Sequence, residues 1–285
     1  MPLPELLDEL FRLYRNYFGL IVGVALLVVL PGLIWTLVTG TYRLTFNSYS
    51  NLFPSRFGAQ TTTLTSQQLS DMIGLILLGA LGSIVIAPFS VGAVYRAVTD
   101  VALGRPATVG SVLRETLARY FPLLGLIALA ALIFLAWLIA FVIGLFLIVV
   151  WIGVGVLGVW LLIRWWLTVA AMMAEDIGPI NGLRRSWNLV GGMWWRTFGI
   201  WLVVIILRFV IGLALGFFFG IIAGFVLSGD LLLAVVAVGS TLLGAIVSPI
   251  LTIGTVLLYF DLRVRKEGLD LDQLAQQTSP GPAPA

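Results

Sequence analysis

The stretch from Phe121 to Ile163 reads FPLLGLIALAALIFLAWLIAFVIGLFLIVVWIGVGVLGVWLLI and contains no charged residue. A membrane-spanning helix needs about 20 predominantly apolar residues, so this run is too long for one crossing and suits two. It divides most simply near Gly144, into spans at 121–143 and 146–168. Working outward, comparable runs lie at 18–40 and 72–97 before it, and at 197–228 and 232–260 after it. The expected fold is an all-α polytopic membrane protein with six transmembrane helices in a single domain over 1–272. Residues 41–70 then form an outer loop, and residues 273–285 a disordered cytoplasmic tail.

Composition agrees. Of 285 residues, 60% are hydrophobic and 10% charged, whereas soluble domains carry about 25% charged residues. The polar residues are too few to cover a soluble core. The sequence has no His and no Cys. That removes imidazole acid–base catalysis, thiolate nucleophiles, disulfides and the usual zinc and iron–sulfur ligands. No catalytic, cofactor-binding or metal-binding constellation is expected. A net charge of +3 is too small for a nucleic-acid-binding face. The first residues carry Glu5, Asp8 and Glu9, unlike the basic n-region of a signal peptide, so the first apolar run is expected to be retained.

Basic residues set orientation. Arg12, Arg15, Arg96, Arg105, Arg114, Arg119, Arg184, Arg185, Arg196, Arg263, Arg265 and Lys266 fall on one side of the six spans. Arg43 and Arg56 fall on the other. Both termini are therefore expected on the cytoplasmic side of the membrane.

A cytoplasmic amphipathic helix precedes each odd-numbered span. Leu3, Leu6, Leu7, Leu10, Tyr14 and Tyr17 form the first apolar stripe. Val109, Val112, Leu113, Leu117 and Tyr120 form the second, and Ile180, Leu183, Trp187, Val190 and Trp194 the third. These are helical spacings. Each helix turns into its span through an arginine and an aromatic: Arg15 with Phe18, Arg119 with Phe121, Arg196 with Phe198. Each even-numbered span leaves through an acid and a glycine: Asp100 with Gly104, Glu175 with Gly178, Asp261 with Gly268. Two readings stand: a threefold repeat of amphipathic helix plus helical hairpin, or independent amphipathic helices of a kind common in polytopic proteins.

Four motifs are candidates for chemistry. Arg208 lies well inside the fifth span and is followed at steps of four by Gly212, Gly216, Gly220 and Gly224. Small residues at this spacing admit a close helix neighbour, so this row is a candidate packing stripe. Arg208 is a candidate intramembrane anion site for a lipid phosphate, or else it snorkels to the inner surface. Arg164 beside Trp165 and Trp166 reads as an interfacial belt, with a cation–π site as the alternative. Pro88 and Pro249 are candidate helix breaks, serving either as packing kinks or as sources of free carbonyls for an ion. Asp100, Glu175, Asp176 and Asp261 are placed to form salt bridges with Arg96, Arg114, Arg184, Arg185 or Arg263.

The segments AEDIGPINGLRRSWNLVGG (174–192) and LLYFDLRVRKEGLD (257–270), with the Gly104-Arg-Pro turn, resemble the glycerophosphoryl diester phosphodiesterase membrane-domain family. The resemblance runs from about Leu6 to Asp272 and implies a stand-alone membrane domain in the plasma membrane of a bacterial cell. In full-length members a catalytic barrel follows, which relies on histidines and metal-binding carboxylates. With no histidine and about 25 residues after the last span, no such barrel is expected here, and no residue matches that motif. The expected function is non-enzymatic: lipid interaction, or scaffolding and regulation of a protein partner or second copy. Arg15, Arg119, Arg184, Arg185 and Arg196 are the expected lipid-phosphate contacts. A small-solute or lipid transporter using Pro88, Pro249 and Arg208 is the alternative.

Overall fold

A computed structural model describes residues 2–42, 66–144, 148–227 and 229–268. These residues form helices, with no strand among them. In chain order they are α1 (Leu3–Asn16), α2 (Phe18–Thr39), α3 (Ser66–Ala102), α4 (Val109–Ala118) and α5 (Tyr120–Gly144). There follow α6 (Ile148–Trp165), α7 (Thr168–Glu175), α8 (Pro179–Val190), α9 (Trp194–Val226) and α10 (Gly229–Glu267). Six segments are long and apolar enough to cross a membrane: Phe18–Thr39, Ile73–Ala102, Tyr120–Val142, Ile152–Glu175, Trp194–Val226 and Ala234–Glu267. Most of the expected outer loop, the turn just past Gly144, Ser228 and the 273–285 tail lie outside the described residues.

The boundaries differ from the sequence reading where no residue stops a helix. The segment 66–70, expected as loop, is the start of α3. Asp100 and Asp261 lie inside α3 and α10 instead of ending them. Gly104 and Gly268 then adopt left-handed φ values of 66° and 62°, which a residue without Cβ does at little cost. Between α7 and α8 the left-handed residue is Asp176, at φ 57°. Gly178, expected there, is instead the extended N-cap of α8.

One end of the bundle is packed and the other is bare. Leu6 and Leu10 of α1, Val98 of α3, Ile163 of α6, Ala170 of α7, Leu189 of α8, Val204 of α9 and Ile253, Leu258 and Tyr259 of α10 share one core. Toward the other end the helices expose large apolar side chains, among them Ile34, Val38, Leu77, Leu81, Phe134, Ile139, Val156, Phe209, Phe217 and Phe225. Helices that show apolar residues on every side over such a length are solvated by lipid.

At the bare end each helical hairpin is joined by an aromatic set onto a glycine. A Cβ added to Gly82, Gly158 or Gly239 would collide with the ring of Trp35, Trp137 or Phe219, respectively. Trp35 Nε1 also donates to the Leu78 carbonyl at 3.2 Å, and Trp137 Nε1 to the Val154 carbonyl at 3.1 Å. Both carbonyls lie one turn before the glycine, so the same geometry occurs twice.

The short helices bury faces slightly rotated from those expected. In α1, Leu6 and Leu10 of the expected stripe are buried together with Leu13, which lies outside it, while Tyr17 is 43% exposed. In α4 the buried residues are Val112 and Thr116, while Leu117 is 59% exposed. In α8 the buried face includes the small residues Gly182 and Ser186, and Ile180 is 67% exposed. Gly182 faces Met172 and Thr168 so closely that a Cβ would collide. Close approach to α7 therefore sets the rotation of α8.

Candidate functional site

The packed end carries nearly all the charge, organised as ion pairs that tie the short helices to the ends of the long ones. Arg96 of α3 is the hub of the first group. Its guanidinium reaches Asp100 at 3.1 Å, Glu115 of α4 at 2.5 Å, Asp176 at 3.3 Å and the Met173 carbonyl at 3.3 Å. Arg119, at the α4–α5 corner, takes Asp176 at 2.6 Å and the Met172 carbonyl at 3.3 Å. In the second group Arg185 of α8 joins Glu175 at 2.6 Å and Glu267. Arg263 reaches the same two acids, and the buried Tyr259 hydroxyl donates to Glu175. The hydrogen bond to Glu267 raises the Arg185 pKa further above its ordinary value. In the third, Arg196 at the α8–α9 corner and Arg265 share Asp261, at 2.8 and 3.1 Å. Lys266 donates to the carbonyls of Asn188 and Gly191, where α8 runs out of internal partners.

These pairings divide the five expected lipid contacts. Arg119, Arg185 and Arg196 point their guanidinium groups at carboxylates of their own chain, so the structure gives them a tethering role. Arg15 and Arg184 are exposed and without a partner among the described residues, and so is Arg114. Each of these three stands beside exposed apolar bulk on its helix. Arg15 lies near Phe11 (45% exposed), Arg114 near Leu117, and Arg184 near Ile180. Trp195, at the third corner, is also 78% exposed. The acids expected to pair with Arg114 and Arg184 are taken by other arginines.

α3 and α10 run unbroken through Pro88 and Pro249, so neither candidate break interrupts its helix. A proline deprives the carbonyl four residues back of its donor, here that of Ile84 or Ala245, and a tyrosine hydroxyl meets the next carbonyl along in each case. The Tyr120 hydroxyl donates to the Val85 carbonyl at 2.9 Å, just before Pro88. The Tyr14 hydroxyl donates to the Ile246 carbonyl at 2.9 Å, in the same position before Pro249. Burial raises the Tyr14 pKa, which keeps that phenol a donor. The chain does interrupt its helix between α6 and α7, where there is no proline. There Ser186 Oγ donates to the Arg164 carbonyl at 2.8 Å and accepts from the Leu167 amide at 3.2 Å. Trp194 Nε1 donates to the Trp160 carbonyl at 3.3 Å. Removing the Tyr14 hydroxyl (Tyr14→Phe) is expected to cost about 1 kcal/mol. Melting the two proteins in one detergent checks it.

Arg164 is held between Trp160 and Trp187, with centroids 5.0 and 4.6 Å from its guanidinium carbon. It also donates to the Trp187 carbonyl at 3.1 Å. The cation–π partners are therefore α6 and α8 residues of the same chain, not the adjacent Trp165 and Trp166. Trp166 instead donates to Thr255 at 3.0 Å and packs edge-on against Trp201. Arg208 is exposed, with no polar or aromatic partner among the described residues. A Cβ built at Gly212, Gly216, Gly220 or Gly224 meets no described atom within 4 Å beyond its own turn. Among the described residues the contacts closer than 3.0 Å are made at other glycines: Gly82, Gly92, Gly158, Gly182, Gly239 and Gly254.

The six long apolar helices and the lipid-exposed end define a multi-pass helical membrane protein. Comparison of the chain with protein-family models, with curated proteins and with solved structures returned no match.

Proposed function

We propose that the chain is a non-enzymatic integral protein of the bacterial plasma membrane that binds anionic lipid through its packed end. Both termini lie in the cytoplasm, and α1, α4 and α8 lie at the headgroup layer of the inner leaflet. One observation carries this reading. Each of these short helices presents an unpaired arginine, Arg15, Arg114 or Arg184, beside a large exposed apolar residue. A cation next to an apolar wedge matches a phosphate layer above acyl chains. The resemblance to the glycerophosphoryl diester phosphodiesterase membrane-domain family supports a membrane role without the hydrolysis, since the sequence has no histidine.

The three hairpins are further proposed to be copies of one unit arranged in a ring. The links between them support this. Tyr14 of the first copy reaches the last helix of the third, and Tyr120 of the second reaches the last helix of the first. Trp194 of the third reaches the last helix of the second. The aromatic-on-glycine contacts at Gly82, Gly158 and Gly239 fall at matching places in the three hairpins.

Each basic residue near an anionic surface adds about 1 kcal/mol of attraction. The Arg15→Gln, Arg114→Gln, Arg184→Gln triple variant is expected to lose most of its preference for phosphatidylglycerol over phosphatidylcholine. Arg119→Gln is expected to lower thermal stability instead and leave that preference nearly unchanged. Competition between the two lipids, followed by mass spectrometry of the intact protein, separates these outcomes. A triple variant with native lipid preference would count against the reading.

A further inference from the structure

We propose that Arg208 anchors the headgroup of a bound anionic phospholipid whose acyl chain lies along the Gly212 and Gly216 face of α9. The proposal rests on the lipid-binding reading above and adds a specific site to it.

The depth of Arg208 follows from what faces α9 across the bundle. Val204 lies against Gly254, and Phe219 lies against Gly239 on the antiparallel α10. Interpolation between these contacts puts Arg208 level with Pro249 and Ile250. Leu10 of α1 faces Gly254, one turn to one side of that level, and Tyr14 contacts Ile246, about one turn to the other; α1 gives way to α2 within a turn of Tyr14. Arg208 therefore sits at the depth where the first short helix meets the first span, which is the headgroup boundary. The segment beyond it, from Phe209 to Val226, is about 27 Å long at 1.5 Å per residue and close to the roughly 30 Å hydrocarbon thickness. Before it, Ile200 and Val204 belong to the packed core.

The surroundings suit a lipid better than a protein neighbour. Two turns before Arg208, on the same side of α9, Trp201 packs edge-on against Trp166 and stacks on Phe198. These rings close the space on the cytoplasmic side. One and two turns after Arg208, Gly212 and Gly216 leave open space at the helix surface. An unpaired guanidinium with an aromatic floor on one side and a smooth apolar track on the other complements a phosphodiester with an acyl chain. A second copy docked symmetrically on this face would bring two Arg208 cations together, which disfavours that occupant. Arginine gives a phosphate two parallel hydrogen bonds, so the contact is more than a delocalised attraction.

The test uses the full chain in nanodiscs of phosphatidylglycerol and phosphatidylcholine, released intact into a mass spectrometer. The wild type is expected to retain one phosphatidylglycerol that Arg208→Gln retains about tenfold less. That corresponds to about 1.4 kcal/mol. Arg208→Lys is expected to keep much of the retention. Gly212→Leu, which adds bulk into open space, is expected to lose it with the charge intact. Inorganic phosphate is expected not to displace the lipid; full displacement by phosphate alone would make this an aqueous anion site and overturn the proposal. Undiminished retention in both Arg208→Gln and Gly212→Leu, with loss in the Arg15, Arg114, Arg184 triple variant, would overturn the site and leave the general reading standing. Undiminished retention in all of them would overturn both. If Arg208→Gln does not fold, the contrast between Arg208→Lys and Gly212→Leu decides the matter.

Discussion

Arg96→Met is expected to lower the stability of the folded chain by about 3–5 kcal/mol, the cost of breaking one side of a buried ion pair. The Arg96 side chain is only 11% exposed and that of Asp100 only 8%. Without the guanidinium, Asp100 keeps Arg105 alone, at 3.7 Å and half exposed. The larger part of the cost is this stranded carboxylate, and the lost attraction is the smaller part. Adding Asp100→Asn is therefore expected to recover much of the loss, since a neutral amide is far cheaper to bury than a charge. Glu115→Gln, by contrast, removes a partner whose side chain is 46% exposed. It is expected to cost less than about 1 kcal/mol, as exposed pairs do. Thermal melts of the three variants in one detergent check the order. Equal melting temperatures for Arg96→Met and the wild type would mean that the hub does not hold the packed end together.

Gly254→Leu should be the next most damaging single change. Gly254 is buried on α10, and a bare Cβ there would lie 2.8 and 3.0 Å from the two methyls of Val204 and 3.4 Å from Leu10. Both neighbours are themselves buried, at 2% and 0% exposure, so neither has room to move aside. Overpacking of this kind costs about 1–3 kcal/mol. Here it also separates α1 and α9 from α10 together, so the upper part of that range is expected. Gly216→Leu on α9, where nothing lies within 4 Å, is expected to leave the melting temperature unchanged. The pair distinguishes the glycine that packs from the glycine that merely shares the spacing.

That contrast shows what the sequence carried and what it left out. Six spans were legible because a long uncharged run such as 121–163 admits few alternatives in any fold. The row Gly212 to Gly224 announced that a neighbour was permitted, but spacing on one helix does not say whether a neighbour comes. The glycines that do receive one, such as Gly82 beneath Trp35, are isolated and carry no periodic signal. The corner arginines posed a similar difficulty. Arg119 and Arg196 sit where headgroup anchors sit, yet their carboxylates, Asp176 and Asp261, are far along the chain and close only in the fold. The prolines lie within a turn of two carbonyls that accept tyrosine hydroxyls, but they free the neighbouring ones. The two donors, Tyr14 and Tyr120, were counted in apolar stripes because the ring of a tyrosine fits such a stripe and its hydroxyl leaves no pattern. Ser186, which bridges the α6–α7 break, belongs to the same class of unmarked backbone contacts.

The central claim is that the packed, charged end lies at the cytoplasmic face of the membrane. The sequence has no cysteine, so a single introduced thiol reports one position without background. Ala118, the exposed last residue of α4, is the place to put it. In intact cells an impermeant maleimide is expected to leave Ala118→Cys unlabelled, and to label it once the membrane is opened. Labelling of Ala118→Cys in intact cells would contradict the claim and reverse the orientation.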